Sequence, residues 1–214
     1  MKEIVSKSSL AVILSNIEDF HEPKVRLEQY LMDSEIGAYV LWSAYLLGDI
    51  ESKSIADLGC GTGILGIGAT ILGARYVFFV DSDKKALKIV KDNIWKLKSE
   101  GYDLENVDII CSDIRKLSMK TDVVIQNPPF GTKVKHSDIV FLKKAMEISP
   151  IVYSFHKSEN KIFLEQFCVK NDAKITHAWD FRFPLKARFI FHRRRIKRIN
   201  VSCFRFETLK NKDF

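Results

Sequence analysis

Asn127-Pro128-Pro129-Phe130 is the segment of this 214-residue sequence whose chemistry is most narrowly specified. Two successive prolines remove two backbone N–H donors and hold φ near about −65°, so the peptide after Asn127 stays open with its carbonyls free. The Asn127 side-chain oxygen and the Pro128 carbonyl then suit one target, a planar NH2 group, each accepting one of its two protons. That grip draws electron density onto nitrogen and aims its lone pair at an electrophile. Phe130 would stack on the ring that carries the nitrogen. A turn with no chemical role is more readily made by Asn-Gly or Pro-Gly.

A second constellation is Ala56-Asp57-Leu58-Gly59-Cys60-Gly61-Thr62-Gly63, placed between an apolar run and a helical pattern. Alternate glycines let the backbone turn sharply and approach a ligand closely, which implies a nucleoside-type ligand. Asp57 offers a carboxylate to a cationic amino group. Asp81, closing Phe79-Val80-Asp81, lies where such folds hold a ribose by its hydroxyls. Asp113, in Cys111-Ser112-Asp113-Ile114, together with the next backbone N–H, matches the N6 donor and N1 acceptor of adenine; it reads nearly as well as a solvated acid opening a turn. Gly61-Thr62-Gly63-Ile64-Leu65-Gly66 also satisfies the dinucleotide pattern G-x-G-x-x-G, which keeps a nicotinamide oxidoreductase open at this point.

These residues need a scaffold that delivers them to one place. Short Val- and Ile-rich runs at Ser54–Leu58, Tyr76–Val80, Val107–Cys111, Thr121–Ile125 and Pro150–Phe155 read as strands. They alternate with helical periodicity over Thr62–Leu72, Asp83–Lys98 and Ser137–Ile148. Repeated strand-helix-strand units imply an α/β fold, a mostly parallel sheet with helices on both faces. Lys174–Phe181, Ala187–Phe191 and Ile199–Phe206 follow as successive strands and suit an antiparallel pair at one end of the sheet. Residues 1–50 read as a helical extension, with Leu10, Ile13, Leu14 and Ile17 at helical spacing, Pro23 as a break, and a second run from Ile36 to Leu47. This segment is a candidate lid or a core cap, and residues 51–214 form the main body of what reads as one structural domain.

At 46% hydrophobic and 29% charged residues the chain is an ordinary globular one, which excludes disorder and coiled coil. No apolar run is long enough to span a membrane, and Lys2, Glu3 and Lys7 near the start argue against a signal peptide, so a cytoplasmic location is expected. Cys60, Cys111, Cys168 and Cys203 are widely spaced and read as reduced, mostly buried thiols, with no metal-ligand spacing. The net charge is +7, and Arg182–Lys212 holds eleven Lys or Arg against Glu207 alone. Within it Arg193, Arg194, Arg195, Lys197 and Arg198, preceded by Phe191 and His192, have the composition of an RNA-binding edge beside a stacking surface; a solvated loop is the plain alternative. His156 and Lys157 read equally as residues flanking the cleft and as an ordinary strand end. Val107–Cys111 reads as a sheet edge open to strand addition by a partner.

Asp57–Gly63 together with Asn127–Phe130 resembles the cofactor loop and catalytic motif of class I S-adenosylmethionine-dependent amino-methyltransferases. Phe20-His21-Glu22-Pro23-Lys24, Leu27-Glu28-Gln29-Tyr30, Tyr153-Ser154-Phe155-His156-Lys157 and Phe191-His192-Arg193-Arg194 extend the similarity to the methyltransferase-like protein 5 group and its archaeal relatives over nearly the whole chain. The resemblance implies a Rossmann-like fold with a seven-stranded, mostly parallel sheet and an antiparallel strand near one end. It implies S-adenosylmethionine as cofactor and N6 of an adenosine in small-subunit ribosomal RNA as methyl acceptor. It also implies a small zinc-binding activator protein as partner. Gln29, Gly59, Thr62, Ile64, Asp81, Asp113 and Ile114 map to cofactor contacts, joining Asp57, Gly61 and Gly63 of the glycine turn; Asn127, Pro128, Pro129 and Phe130 map to the catalytic loop. Leu31-Met32-Asp33 departs from the group's pattern, which has a small hydroxyl residue there. Protein glutamine N5-methylation is the nearest rival, since a side-chain amide is also a planar NH2. A non-catalytic RNA-binding factor would explain the basic stretch but not the glycine turn.

Overall fold

The computed structural model describes residues 6–20, 23–24, 28–29, 32–130, 137–185 and 197–209, with the backbone alone at 184–185 and 197–198. Strands β1 (Ser54–Leu58), β2 (Tyr76–Asp81), β3 (Val107–Cys111), β4 (Val123–Gln126), β5 (Ile151–Lys157), β6 (Ala173–Leu185) and β7 (Lys197–Thr208) make one sheet in the order β3-β2-β1-β4-β5-β7-β6. β1 to β5 pair in parallel, and β7 runs antiparallel to both β5 and β6. The mostly parallel seven-stranded α/β sheet is thus present, with β3 at its edge as expected.

Helices α1 (Lys7–Ser15), α2 (Ser34–Leu46), α3 (Ile64–Ile71), α4 (Lys84–Ser99), α5 (Ser137–Ile148) and α6 (Lys161–Lys170) complete the fold. The period-2 alternation of β1 divides the core between the two faces of the sheet. Ile55 joins a cluster with Leu10 of α1, Leu41 of α2, Ile67 of α3 and Val90 of α4. Ala56 and Leu58 join another with Leu142 of α5 and Leu164 of α6. The starts of α2 and α4 have a local cause. Asp33 accepts from the N–H groups of Glu35 and Ile36 to cap α2, and Asp83 accepts from Lys85 N–H to cap α4. Along α4, Ala86, Leu87, Val90, Ile94 and Leu97 form the buried stripe.

Among the departures from the sequence pattern, three have a visible local cause. α3 begins at Ile64 rather than Thr62 because Gly63 takes φ +87°, a left-handed conformation that only glycine adopts without strain. β4 begins at Val123 because Thr121 turns aside, its N–H donating to the Ile148 carbonyl and its hydroxyl to that of Ser54. α6 has no counterpart in the sequence reading: only Leu164 and Cys168 are buried, while Ile162, Phe163 and Val169 face solvent and blur the stripe. The strand expected at Ala187–Phe191 lies outside the described residues. Cys60, Cys168 and Cys203 are buried and Cys111 is exposed.

Candidate active site

A cleft opens at the carboxyl ends of β1, β2 and β4, where the strand order reverses and open α/β sheets place their ligands. Its floor is the glycine turn. The N–H groups of Gly59 and Cys60 both donate to the Val80 carbonyl, folding the turn over β2. Gly59 and Gly61 have φ of +67° and +55°. A Cβ on Gly59 would lie 2.9 Å from the Phe141 ring, and one on Gly61 would lie 3.0 Å from that of Phe20. Neither glycine has room for a side chain, so at both positions the backbone is what the cleft presents. Gly66 serves something else: its Cβ would lie 2.4 Å from the Phe79 ring, so this glycine lets α3 pack on β2.

Two carboxylates close the floor. Asp57 is 1% exposed and its Oδ2 accepts from Gly66 N–H at 2.8 Å. Burial pushes its pKa up to about 7, against the pull of that hydrogen bond and with a further push from the charge of Asp81. Asp81 accepts from Gly61 N–H at 3.0 Å and from Asp83 N–H at 2.8 Å, and burial raises its pKa as well. Two acids held towards neutrality beside a cleft form a site that gains from a cation or a diol. Asp83 is occupied differently: Lys24 Nζ donates to it at 2.8 Å and Gln29 Nε2 at 2.9 Å, fastening the N-terminal segment to the turn after β2.

Asn127 and Pro129 line the same cleft as Asp57, Gly59, Gly61, Thr62, Ile64, Asp81 and Gln29, so the two constellations meet. Other expected residues stand apart. Asp113 and Ile114 are not among the lining residues. The Asp113 carboxylate is taken by the Arg115 guanidinium and backbone N–H, which hold its pKa down at about 2, and Ile114 is buried in the core on the α5 side. Gly63 caps α3, with its Cβ position 3.2 Å from Val90. Pro128 does not line the cleft, and Phe130 is buried with its ring edge-on to Phe183 at 6.5 Å. Arg193, Arg194 and Arg195 lie outside the described residues. Lys197 and Arg198 open β7 opposite Leu185 and Pro184, and their side chains lie outside as well. The cleft also uses residues that sequence reasoning had not assigned to it: Glu28, Met32, Cys60, Leu65, Ser82 and above all Phe141 of α5.

Residues 35–148, more than half of the chain and holding both constellations, match the methyltransferase small domain family. The chain belongs to that family. This methyltransferase-domain chain is 36% identical over 218 residues to an uncharacterized protein of Methanocaldococcus jannaschii, covering 96% of each. It is 34% identical over 200 residues to the rRNA N(6)-adenosine-methyltransferase METTL5 of Danio rerio, covering 90% of this chain and 94% of that one. A crystal structure from Pyrococcus horikoshii, provisionally described as an RNA methyltransferase, superposes with a TM-score of 0.87 at 39% identity and covers 96% of this chain and 99% of that one. These relatives extend the methyltransferase fold beyond the family match to β6 and β7.

Proposed function

We propose that this chain is an S-adenosylmethionine-dependent methyltransferase that modifies N6 of an adenosine in ribosomal RNA. The observation that carries this reading is the meeting of Asn127 and Pro129 with the glycine turn and Asp57 in one cleft. Its agreement with the activity named for the Danio rerio relative supports it. The residues suit the cofactor: Asp57 faces an ammonium, Asp81 a ribose diol, and the bare backbone at Gly59 and Gly61 a close-lying nucleoside. When bound, S-adenosylmethionine supplies a methyl group on a sulfonium, which an amine takes in one displacement that leaves S-adenosylhomocysteine.

Asn127 and the Pro128 carbonyl orient the amine and polarise it; they need no general base at that stage, because the nitrogen proton becomes acidic only after the methyl has arrived. Positioning of this kind can supply about 7 to 11 kcal/mol of a barrier. The adenine must leave its stack to enter, so unpaired or looped RNA is the favoured substrate. On this reading Arg193, Arg194, Arg195, Lys197 and Arg198 grip phosphates, the segment through Gln29 covers the cofactor, and Asp113 with Ile114 turns to the adenine once Arg115 is displaced. β3 offers its edge to a small zinc-binding activator protein, and the place of action is the cytoplasm. No helix among the described residues is long and apolar enough to cross a membrane.

The test is methyl transfer from labelled S-adenosylmethionine to small-subunit RNA from cells lacking the gene, with N6-methyladenosine identified by mass spectrometry. Label appearing on a glutamine-bearing peptide and not on RNA would assign the rival amide chemistry. Equilibrium dialysis that retains NADH and not S-adenosylmethionine would return the site to the oxidoreductases.

A further inference from the structure

Behind the cleft lies a polar chain that the proposed reaction does not use. Gln126 Nε2 donates to Ser154 Oγ at 2.9 Å, Ser154 Oγ meets His156 Nε2 at 2.8 Å, and His156 Nδ1 meets Asp138 Oδ2 at 3.4 Å. Gln126, Ser154 and His156 are fully buried and Asp138 is 6% exposed. The rings of Phe204 and Phe206, each 6.3 Å from the imidazole, form the wall on the β7 side. Proton positions follow from the partners. The Asp138 carboxylate only accepts, so the ring proton of the neutral imidazole sits on Nδ1; Nε2 is then an acceptor for the serine hydrogen, and Ser154 Oγ in turn accepts from the Gln126 N–H.

The chain ties three elements at a telling place. Gln126 is the last residue of β4 and immediately precedes Asn127; Asp138 is the second residue of α5 and immediately follows Ser137. Ser137 Oγ in turn donates to the Pro129 carbonyl at 3.2 Å. Both ends of the loop that carries Asn127 and Pro129 are thus fastened to neighbouring residues of β5. Gln126 Oε1 and Thr208 Oγ1 are the buried side-chain polar atoms, among the described residues, that lack any hydrogen-bond partner. The Gln126 amide is therefore held through its nitrogen alone, and Ser154 dictates its orientation. An apolar core would stabilise these strands as well, whereas a linked polar chain fixes one arrangement of them.

We propose that His156, through Ser154 and Asp138, is a positioning residue that sets the Asn127–Pro129 loop against the glycine turn. The proposal rests on the reading of Asn127 and the Pro128 carbonyl as the amine socket. His156→Phe keeps ring volume beside Phe204 and Phe206 while cutting both hydrogen bonds, and Ser154→Ala cuts the chain at its middle. Both are expected to lower kcat for RNA methylation by about 10²-fold, the scale of a loop displaced by about 1 Å. The Kd for S-adenosylmethionine and the KM for RNA should stay within a few-fold. Asp138→Asn, whose amide oxygen still accepts from Nδ1–H, should recover most of the kcat that Asp138→Ala loses.

Deuterium uptake gives a readout without turnover. His156→Phe should speed exchange across 124–130 and leave 55–81 as protected as in the parent. Wild-type kcat in His156→Phe, a parallel loss of cofactor binding and of protection throughout the chain, or no rescue by Asp138→Asn would each overturn the proposal. If the parent protein moves no methyl to RNA, the functional reading fails, and exchange across 124–130 still decides whether the polar chain holds the segment through Asn127 and Pro129.

Discussion

Asp57→Asn separates the electrostatics of the cleft floor from its packing. Burial holds the Asp57 carboxyl at a pKa of about 7 in the folded protein, against 3.8 for an ordinary exposed aspartate. Between those two pH values the folded chain keeps a proton that the unfolded chain has already released. Stability therefore falls as pH rises through this window, the sign expected where the native state binds more protons. The span is about three pH units at about 1.4 kcal/mol each, so Asp57 takes about 4 kcal/mol from the ligand-free fold by pH 8. An asparagine amide oxygen still accepts from Gly66 N–H and cannot ionise. Asp57→Asn should match the parent near pH 4 and exceed it by several kcal/mol at pH 8, read from urea denaturation across pH 4 to 8. A bound ammonium reverses the balance by favouring the carboxylate. The parent's affinity for S-adenosylmethionine should therefore weaken about tenfold per unit below pH 7, while the asparagine variant binds weakly at every pH. Equal pH slopes of stability in the two proteins, or full cofactor affinity in the variant, would refute the reasoning.

Asn127→Ala should lower methyl transfer by about 10²-fold or more while leaving the Kd for S-adenosylmethionine within a few-fold, measured by single-turnover transfer and calorimetry. Gly66→Ala drives a methyl to 2.4 Å from the Phe79 ring and should cost about 1 to 3 kcal/mol in urea denaturation, a stability defect that S-adenosylmethionine does not selectively rescue. Replacing Arg193, Arg194 and Arg195 together by alanine should weaken RNA binding uniformly across sequences and flatten the slope of log K against log salt by about 2, as expected for three single-strand phosphate contacts.

The parallel sheet was legible because β1, β2 and β4 are largely buried and so read as short apolar runs, each ending at or followed by a residue with chemistry: Gly59, Asp81, Asn127. The same property put those residues at one rim, since parallel strands all end on the same side. What the sequence obscured lies where a residue answers to a distant neighbour. Asp113 looked free for an adenine edge, yet Arg115 two positions on claims its carboxylate; the pair was visible in the sequence, the competition was not. Gly66 completed a dinucleotide pattern, but what it accommodates is Phe79 across the helix–sheet boundary. Phe141 carries no local signal, being one apolar residue of a helix, and reaches the cleft only because α5 sets its ring against Gly59. His156 is the sharpest case. At a strand end it reads equally as a cleft-flanking residue and as an ordinary strand-end one, and it does not line the cleft: the alternation of β5 turns it, with Ser154, to the face away from Tyr153 and Phe155, where Asp138 waits at the start of α5. The strand period gives its face from sequence, but only the packing of α5 supplies the carboxylate that gives the buried imidazole a partner.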